Sequence, residues 1–504
     1  MKIRQLFLII AFTAIVWDIQ SAAPREMRAA WIATVVNIDW PHQNTLNNPA
    51  AQRTDMIAML DTLKALHFNT VIFQIRPTAD AFYYSQIEPW SRYLTGVQGL
   101  APNPLYDPLA FIIEEAHRRS IEIHVWLNPY RVSMDTDITA LDSTHLLRHR
   151  PDLFAEYGGK YYFNPAKAET RTHLNRVVAD IVARYDIDAV HFDDYFYPYP
   201  VGGCDFPDQK DFEVDSRGFQ DKGDWRRDNI NRVIDTLHST IKAIKPWVDF
   251  GISPFGVWRN QSKDIRGSAT RAGSANYDVL YADILKWLAE GSIDYVMPQL
   301  YWEIGKKAAD YAVLAEWWNR NTFGRNLYIG LFASQLGNKS AGKAWNDGNE
   351  LMRQLALNKQ YNNIKGVGYY SIKAIMGNYR GLADSLHTHY RTPALVPPCD
   401  RSITDTVIQP QNVHLQKEGR HIYLLWHTPD TTGGARIANY VVYAARGYNP
   451  DNVTDSAHVV TITADNCIDL RALLPRLHGK YTLAITAVNR YRHESLPVIT
   501  RKRF

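Results

Sequence analysis

Residues 188–200 read DAVHFDDYFYPYP, an apolar run that ends at two adjacent acids followed by aromatic residues and prolines. Side chains of an extended strand alternate between two faces, so His191, Asp193 and Tyr195 share one face and the intervening apolar residues share the other. Acids and a histidine at the end of a buried strand are costly to desolvate and add nothing obvious to packing. The pattern predicts an active site at the end of this strand.

Strand-like runs alternate with amphipathic helical patterns along most of the chain. Apolar residues at spacings of three and four predict helices at 55–66, 109–119, 170–184, 229–245 and 279–290. The predicted strands are 29–35, 70–76, 122–128, 189–195, 249–255, 294–301, 327–333 and 366–371. This alternation favours an α/β fold, a parallel sheet closed into a (β/α)8 TIM barrel. A doubly wound open sheet is the alternative, but no glycine-rich phosphate loop follows any predicted strand.

The length of 504 residues exceeds what one hydrophobic core usually supports, which indicates at least two domains. Residues 1–23 are predicted to be a signal peptide, because basic residues precede a short apolar run and small residues follow it. Residues 24–389 are predicted to form the barrel. Residues 390–411, with four prolines and no helical period, read as a linker. Residues 412–504 contain short alternating runs separated by turn residues, which predict a small all-β sandwich.

Charge, hydropathy and cysteine content narrow the choice of partners and location. The 56 basic and 52 acidic residues give a net charge of +4 without a basic block, so nucleic acid is not expected as a partner. No segment after the signal has the long apolar run of a membrane helix, so no stable membrane span is expected once the signal is removed. Three scattered cysteines cannot form a disulfide framework, although a bridge between Cys399 and Cys467 stays open. The expected location is periplasmic or extracellular.

The ends of the predicted strands are rich in aromatic and polar side chains, and barrel chemistry sits at the C-terminal ends of strands. Aromatic rings cover the C–H groups of sugars, while amides, guanidinium groups and carboxylates match hydroxyl and amide groups. The sequence therefore predicts a glycan as partner and substrate. The residues expected to bind it are Asp39, Trp40, Gln74, Arg76, Trp126, Asn128, Tyr130, Arg131, His191, Tyr195, Tyr197, Trp258, Arg259, Gln299, Tyr301, Trp302 and Tyr370.

Glycoside cleavage usually needs two carboxyl groups, one as acid and one as nucleophile or base. Asp193 is the predicted nucleophile or base, and Asp194 is predicted to contact the substrate or to orient its neighbour. Glu303 follows the sixth strand in MPQLYWE and is the predicted proton donor, because flanking aromatic residues would exclude water and raise its pKa. The alternative for Glu303 is a rim residue in a salt bridge, and Asp39 is the reserve acid.

Other chemistries leave weaker traces in the sequence. His191 with its two neighbouring acids would be a poor metal site, because adjacent acids rarely face one ion and no second cluster has metal-ligand spacing. No GxSxG elbow for an esterase is present. No metal and no other cofactor is expected.

Six stretches between residues 25 and 387 resemble, in order, blocks of the glycosyl hydrolase-like 10 family. They are MRAAWIATVVNIDWP, FNTVIFQIRPTADAFY, DPLAFIIEEAHRRSIEIHVWLNPYR, VHFDDYFYP, FGISPFGVWRN and DYVMPQLYWEIG. The resemblance implies a TIM barrel in a secreted or periplasmic bacterial protein. It also implies hydrolysis of an N-acetylated glycan, with denuded peptidoglycan, stripped of its peptides, as the expected substrate. The trailing sandwich resembles a fibronectin type III module.

The strand around Asp193 also resembles, more loosely, the acid motifs of other barrel glycosidases. In chitinase-like enzymes the proton donor is a Glu two residues after an inward Asp, and here that position is Tyr195. The sequence therefore argues against substrate assistance by an acetamido group with the donor on this strand.

Three functions stay open at this point: a hydrolase of amino-sugar glycans, a glycosidase for another bacterial or dietary polysaccharide, and a glycan-binding barrel without chemistry. A second acid close to Asp193 favours an enzyme, and the lack of one favours the binding protein.

Overall fold

The computed structural model describes residues 23–399, 406–448 and 453–504. Of the predicted signal peptide only the last residue lies inside these ranges, and residues 400–405 of the predicted linker lie outside them. Within the described ranges, no helix combines the length and apolar character that a bilayer crossing needs.

Eight parallel strands close into a barrel in the first part of the chain, which confirms the predicted fold class. Around the barrel, neighbouring strands follow one another in the order of those that begin at Met27, Ile364, Asn326, Tyr295, Asp249, Ala189, Glu122 and Thr70. The strands are β1 (Met27–Ile32), β2 (Thr70–Arg76), β3 (Glu122–Leu127), β4 (Phe154–Tyr157), β5 (Lys160–Phe163), β6 (Ala189–Phe192), β7 (Asp249–Ile252), β8 (Tyr295–Val296), β9 (Asn326–Leu331), β10 (Ile364–Tyr369), β11 (Gln411–Glu418), β12 (His421–His427), β13 (Ile437–Arg446), β14 (Val459–Thr463), β15 (Cys467–Asp469), β16 (Lys480–Asn489) and β17 (Val498–Arg503).

Helices cover the barrel and follow from local sequence signals. Helix α3 begins as expected, because the Asp107 side chain accepts a hydrogen bond from Ala110 N and proline occupies the first helical position. The helices are α1 (Pro49–Ala65), α2 (Arg92–Thr95), α3 (Pro108–Arg118), α4 (Leu146–His149), α5 (Ala168–Arg184), α6 (Gln209–Val214), α7 (Lys222–Ile244), α8 (Asn276–Val279), α9 (Ile284–Glu290), α10 (Tyr311–Arg320), α11 (Lys343–Asn346), α12 (Glu350–Asn358), α13 (Ile372–Met376), α14 (Leu382–His389) and α15 (Leu470–Leu473).

Strand β6 shows the two-faced pattern that its sequence predicts. Val190 and Phe192 belong to the large hydrophobic core that the strands and helices share. His191 points the other way, and its Nδ1 lies 2.9 Å from the hydroxyl of Tyr295 inside the barrel. Asp193 directly follows this strand and therefore emerges at the C-terminal end of the barrel.

The second part of the chain is a small all-β domain of two antiparallel sheets. One sheet has the order β11, β12, β15 and the other β14, β13, β16, β17. Trp426 and Tyr440 meet in its core with ring centroids 5.2 Å apart. The resemblance to a fibronectin type III module stays a prediction. All three cysteines lie in the described ranges and are free, so the bridge between Cys399 and Cys467 is not formed.

This sandwich packs against the N-terminal end of the barrel. Arg492, in the loop between β16 and β17, donates to Glu122 Oε1 at 2.7 Å and to Asp249 Oδ2 at 2.5 Å. These two acids are the first residues of β3 and β7. Arg490 lies 3.2 Å from Asp188, the residue before β6. The ion pairs therefore fix the sandwich at the end of the barrel opposite Asp193.

Candidate active site

A cavity of about 460 Å³ opens at the C-terminal end of the barrel. Its volume falls within the range of small-molecule sites. The strand ends and loops that follow β3, β6, β8 and β10 supply much of its lining. Nine of the residues predicted from the sequence line it: Trp126, Arg131, Asp193, Asp194, Tyr195, Gln299, Tyr301, Trp302 and Tyr370.

Asp193 is held by hydrogen-bond donors from the neighbouring strand. Trp126 Nε1 donates to Oδ2 of Asp193 at 3.0 Å, and Asn128 Nδ2 donates to the same oxygen at 3.2 Å. The backbone N–H of Tyr195 donates to Oδ1 at 3.3 Å. Trp126 lies opposite His191 in the pairing of β3 with β6, so the strand register sets the position of the indole against the acid.

Asp194 also lines the cavity, because the chain turns immediately after β6. Its Oδ2 accepts a hydrogen bond from the hydroxyl of Tyr199. Asp193 is 3% exposed and Asp194 is 5% exposed, so both acids are buried although both border open space. The two carboxyl groups therefore share one poorly hydrated corner of the site.

Burial raises the pKa of both acids. The pKa of Asp193 is raised to about 7, first by the loss of water and then by the negative charge of Asp194, against the lowering effect of Arg131 and Trp126. Burial also raises the pKa of Asp194, against the hydrogen bond from Tyr199. An adjacent pair of this kind titrates as a unit and keeps a proton near neutral pH. The pair can therefore give a proton to a leaving oxygen.

Aromatic side chains form much of the cavity wall. Tyr301 stacks on Phe332 with ring centroids 4.7 Å apart, and Tyr370 lies 5.9 Å from Tyr301. Phe255 meets Trp302 edge-on at 5.3 Å. Packed rings of this kind present a rigid apolar surface that suits the C–H faces of sugars.

Arg131 brings a positive charge to the same cavity. Its Nε donates to Pro77 O at 3.0 Å, and its guanidinium carbon lies 5.3 Å from the ring centroid of Tyr195. Its backbone N–H donates to Asn128 Oδ1 at 2.9 Å. The loop after β3 therefore carries both an amide donor to Asp193 and the charge that lowers the pKa of that acid.

Gln74 and Asp39 are buried and hold the loop after β1. Gln74 Oε1 accepts from the backbone N–H of Val35, a cavity residue, at 2.9 Å. Asp39 accepts from Ala33 N at 2.8 Å and from the Ser371 hydroxyl at 2.6 Å. Neither side chain is among the cavity-lining residues, so we assign both to positioning rather than to substrate contact.

Arg76, Asn128 and His191 are also buried and connect neighbouring strand ends. Arg76 pairs with Glu88 at 2.6 Å and donates to the backbone oxygen of Asn128 at 2.6 Å. His191 Nε2 lies 2.9 Å from Ser253 Oγ. Burial lowers the pKa of His191 well below its usual value, so the ring is neutral. The hydrogen bonds of these buried residues hold together the strand ends that form the floor of the cavity.

Several residues predicted to bind sugar lie elsewhere. Four aromatic residues are at most 1% exposed and belong to the hydrophobic core, where a substrate cannot reach them. Arg259 is paired with Asp278 at 2.7 Å and does not line the cavity. The loops after the strands fold back over the barrel and bury these rings. The four buried rings are Trp40, Tyr130, Tyr197 and Trp258.

Glu303 lies outside the cavity lining. Its carboxylate accepts from Trp345 Nε1 at 3.0 Å and pairs with Lys306 at 3.1 Å. Partial burial raises the pKa of Glu303, but the bonds from Lys306 and Trp345 outweigh it and hold the pKa below its usual value. A carboxylate kept ionised and away from the cavity is a poor proton donor. The structure thus gives Glu303 the salt bridge that was its alternative role.

Other cavity residues were not predicted from the sequence. The hydroxyl of Tyr199 reaches back five positions to Asp194 across one proline, Pro198, a contact that only the path of the loop reveals. Trp31 faces the barrel interior from β1, and its inward alternation was the available signal. The cavity residues missed are Trp31, Val35, Val36, Ile38, Met134, Tyr199 and Phe332, whereas Ser253 and Phe255 lie at the end of a predicted strand, 249–255.

Asp193 and Asp194 are the only acids among the described residues that line the cavity. In the same described ranges, no group of three or more His, Cys, Asp and Glu side chains is placed to hold a metal ion. The arrangement offers one buried acid pair, hydrogen-bond donors around it and an aromatic wall.

Comparison with known proteins agrees with this chemistry. The family described as Glycosyl hydrolase-like 10 matches residues 26–347. The chain is 43% identical over 481 residues to the glycosyl hydrolase YngK of Bacillus subtilis (strain 168), covering 94% of this chain and 92% of that protein. It is 42% identical over 370 residues to the glycosyl hydrolase DigH of Escherichia coli (strain K12), covering 69% of this chain and 82% of that protein.

Among solved structures, the fold is similar to the glycoside hydrolase domain of PgaB (BpsB) from Bordetella bronchiseptica. The TM-score is 0.49 at 11% identity, and the match covers 72% of this chain and 98% of that domain. The family match and the two relatives decide the assignment: the chain belongs to the glycosyl hydrolase-like 10 family and is a glycoside hydrolase.

Proposed function

We propose that this glycoside hydrolase cleaves an amino-sugar glycan, and that its substrate is peptide-free peptidoglycan strands outside the cytoplasm. One observation carries the proposal: two adjacent, buried acids with raised pKa values border an aromatic-lined cavity at the C-terminal end of the barrel. The choice of an amino-sugar strand rests on the resemblance of the six sequence blocks to the family. Export rests on the predicted signal peptide.

The cavity combines the two kinds of contact that an N-acetylated sugar needs. Tyr301, Trp302 and Tyr370 offer ring surface to C–H and methyl groups, while Arg131 and Gln299 offer N–H donors to hydroxyl and carbonyl oxygens. The described lining contains only one basic side chain, that of Arg131, and so offers few partners for the carboxylates of attached peptides. A peptide-free glycan therefore fits this cavity better than a peptide-bearing one.

In this proposal Asp193 is the proton donor, in place of Glu303. With a pKa raised to about 7 by burial and by the charge of Asp194, Asp193 carries a proton at mildly acidic pH. Its Oδ2 accepts from Trp126 at 3.0 Å and Asn128 at 3.2 Å, whereas Oδ1 accepts only longer bonds, from Tyr195 N at 3.3 Å and Asn128 at 3.4 Å. We therefore assign the proton that the leaving oxygen takes to Oδ1. The role of Asp193 thus changes from the nucleophile or base expected from its position to the general acid.

Digestion of purified peptide-free peptidoglycan strands tests the proposal, with products read by mass spectrometry. We expect wild type to release shorter glycans and Asp193→Asn, still folded by circular dichroism, to lose at least about a thousandfold in rate. Glu303→Gln is the matched control. Binding of the strands without cleavage by wild type would identify a glycan-binding barrel, and cleavage of other polysaccharides alone would refute the peptidoglycan assignment.

A further inference from the structure

Both carboxyl groups of the cavity leave the same strand end. Asp193 and Asp194 are consecutive, so their Cα atoms are about 3.8 Å apart, and both directly follow β6. Glycosidases that use two carboxyl groups place them on opposite sides of the scissile bond, whether they retain or invert the anomeric configuration. Among the described residues that line the cavity, none supplies a carboxyl group from another strand.

The other two acids considered from the sequence, Asp39 and Glu303, are hydrogen-bonded to groups outside the cavity. The two oxygens of Asp39 accept from Ala33 N at 2.8 Å and from Ser371 Oγ at 2.6 Å. The oxygens of Glu303 are bound by Lys306 and Trp345. Neither acid can serve as nucleophile without breaking buried or partly buried hydrogen bonds and moving into the cavity.

Tyrosine, the other oxygen nucleophile that glycosidases use, is also disfavoured here. Tyr195, Tyr199, Tyr301 and Tyr370 line the cavity. Burial raises the pKa of each, that of Tyr370 to about 12, so all four are phenols rather than phenolates. The protein therefore presents an acid and a second carboxylate on one wall and lacks a facing nucleophile in the described lining.

We propose that the nucleophile is the carbonyl oxygen of the substrate's own 2-acetamido group, with Asp193 protonating the leaving oxygen and Asp194 holding the acetamido N–H. This inference rests on the proposed function and adds to it a requirement: the sugar whose bond is cleaved carries an N-acyl group. Asp194 borders the cavity and its Oδ2 accepts from Tyr199, which holds the carboxyl group beside the space where the acetamido N–H would lie.

The steps balance in atoms and charge. The acetamido oxygen forms a bond to C1 while the bond from C1 to the glycosidic oxygen breaks, and that oxygen takes the proton of Asp193. The acetamido N–H shares its proton with the Asp194 carboxylate, which stabilises the oxazolinium ion that results. A water then gives its proton to the Asp193 carboxylate and bonds to C1, the ring reopens, and the sugar leaves with retained configuration.

The structure removes the objection that the sequence raised against this mechanism. The sequence places Tyr195, not an acid, two residues after the inward Asp193. The chain turns directly after β6, however, so Asp194 borders the cavity together with Asp193 and Tyr195, and in this proposal it takes the second role. Spacing alone could not show that two consecutive residues border the same space.

The first test compares native peptide-free strands with strands that are chemically N-deacetylated and with the same strands N-acetylated again. We expect cleavage of native strands, loss of at least about a hundredfold in kcat after deacetylation, and recovery after reacetylation. Equal kcat on all three overturns this inference and leaves the proposed function intact. Failure to cleave native strands overturns both.

The second test keeps the size of the N-acyl group and changes its nucleophilicity. Strands with N-fluoroacetyl groups should show kcat falling with each added fluorine while KM changes little. A thiazoline analogue of the cyclic intermediate should bind wild type and Asp193→Asn and bind Asp194→Asn at least about tenfold more weakly. An inverted product by NMR, or kcat that ignores fluorination, contradicts the proposal.

Discussion

The indole N–H of Trp126 donates a hydrogen bond of 3.0 Å to Oδ2 of Asp193, so a residue of β3 controls the proton affinity of an acid at the end of β6. Burial and the charge of Asp194 raise the pKa of Asp193, and the Trp126 bond works against them by stabilising the ionised form. The indole therefore tunes the pKa of Asp193 in addition to forming part of the cavity wall.

Trp126→Phe keeps an aromatic ring but removes this donor. We expect the pKa of Asp193 to rise further above about 7, by about one to two units, since a hydrogen bond to a charged group contributes about 1.5–3 kcal/mol. Because a general acid works only while protonated, the alkaline limb of kcat/KM against pH moves upward. Trp302→Phe, which alters a cavity indole that Asp193 does not bind, should leave that limb in place. An unmoved limb in Trp126→Phe would count against the donor role of Asp193.

Asp193 also makes the stability of the fold depend on pH. Its pKa is raised from 3.8 to about 7, so the folded protein holds this proton more tightly than the unfolded chain does. The contribution to stability is complete below about pH 4 and is lost as the pH rises to 7, at a cost of up to about 4 kcal/mol.

Replacing Asp193 with Asn removes this titration and keeps the shape. The variant should be more stable than wild type at about pH 8 and show no such gain at about pH 4.5, as measured by urea unfolding at both pH values. Glu114→Gln, a change of an exposed acid of α3, is the control and should shift neither comparison. If the free energies of unfolding of Asp193→Asn and wild type differed equally at both pH values, burial would not be raising the pKa of this carboxyl group.

Glu303→Gln should change kcat/KM less than about threefold, because its carboxylate lies outside the cavity lining and is bound by Trp345 and Lys306. Steady-state kinetics on glycan strands measures this, with Asp194→Asn as the variant that should lose most of its activity. A loss in Glu303→Gln comparable to that of Asp194→Asn would restore Glu303 as a proton donor.

Arg492→Ala should weaken the contact between the sandwich and the barrel. The change leaves Glu122 and Asp249 without the guanidinium that both bind, and an uncompensated buried charge costs about 3–5 kcal/mol. We expect a lower free energy of unfolding and faster cleavage between the barrel and the sandwich in limited proteolysis. Arg501→Ala, an exposed arginine of β17, should change neither. Equal stability of both variants would mean that the ion pairs contribute nothing net.

Much of the barrel could be predicted from the sequence because periodicity reports burial directly. The alternation around His191 and the run that ends at Asp193 identify both the strand and its inward face. Loops are different, since no period shows where they turn. Trp40 and Tyr130 follow strands as rim residues would, yet they are buried. The partner of Glu303, Trp345, is 42 residues away, and no local pattern links the two.

The position of the sandwich at the N-terminal end of the barrel allows the enzyme to be attached to a surface in a defined orientation. Its exposed Cys467 lies in β15, on the domain that packs against the N-terminal end of the barrel, whereas the exposed Cys204 lies in the loop after β6, at the C-terminal end. A Cys204→Ser protein coupled to a bead or a sensor chip through Cys467 would present its open end to the solution. Every immobilised molecule would then meet the glycan in the same orientation.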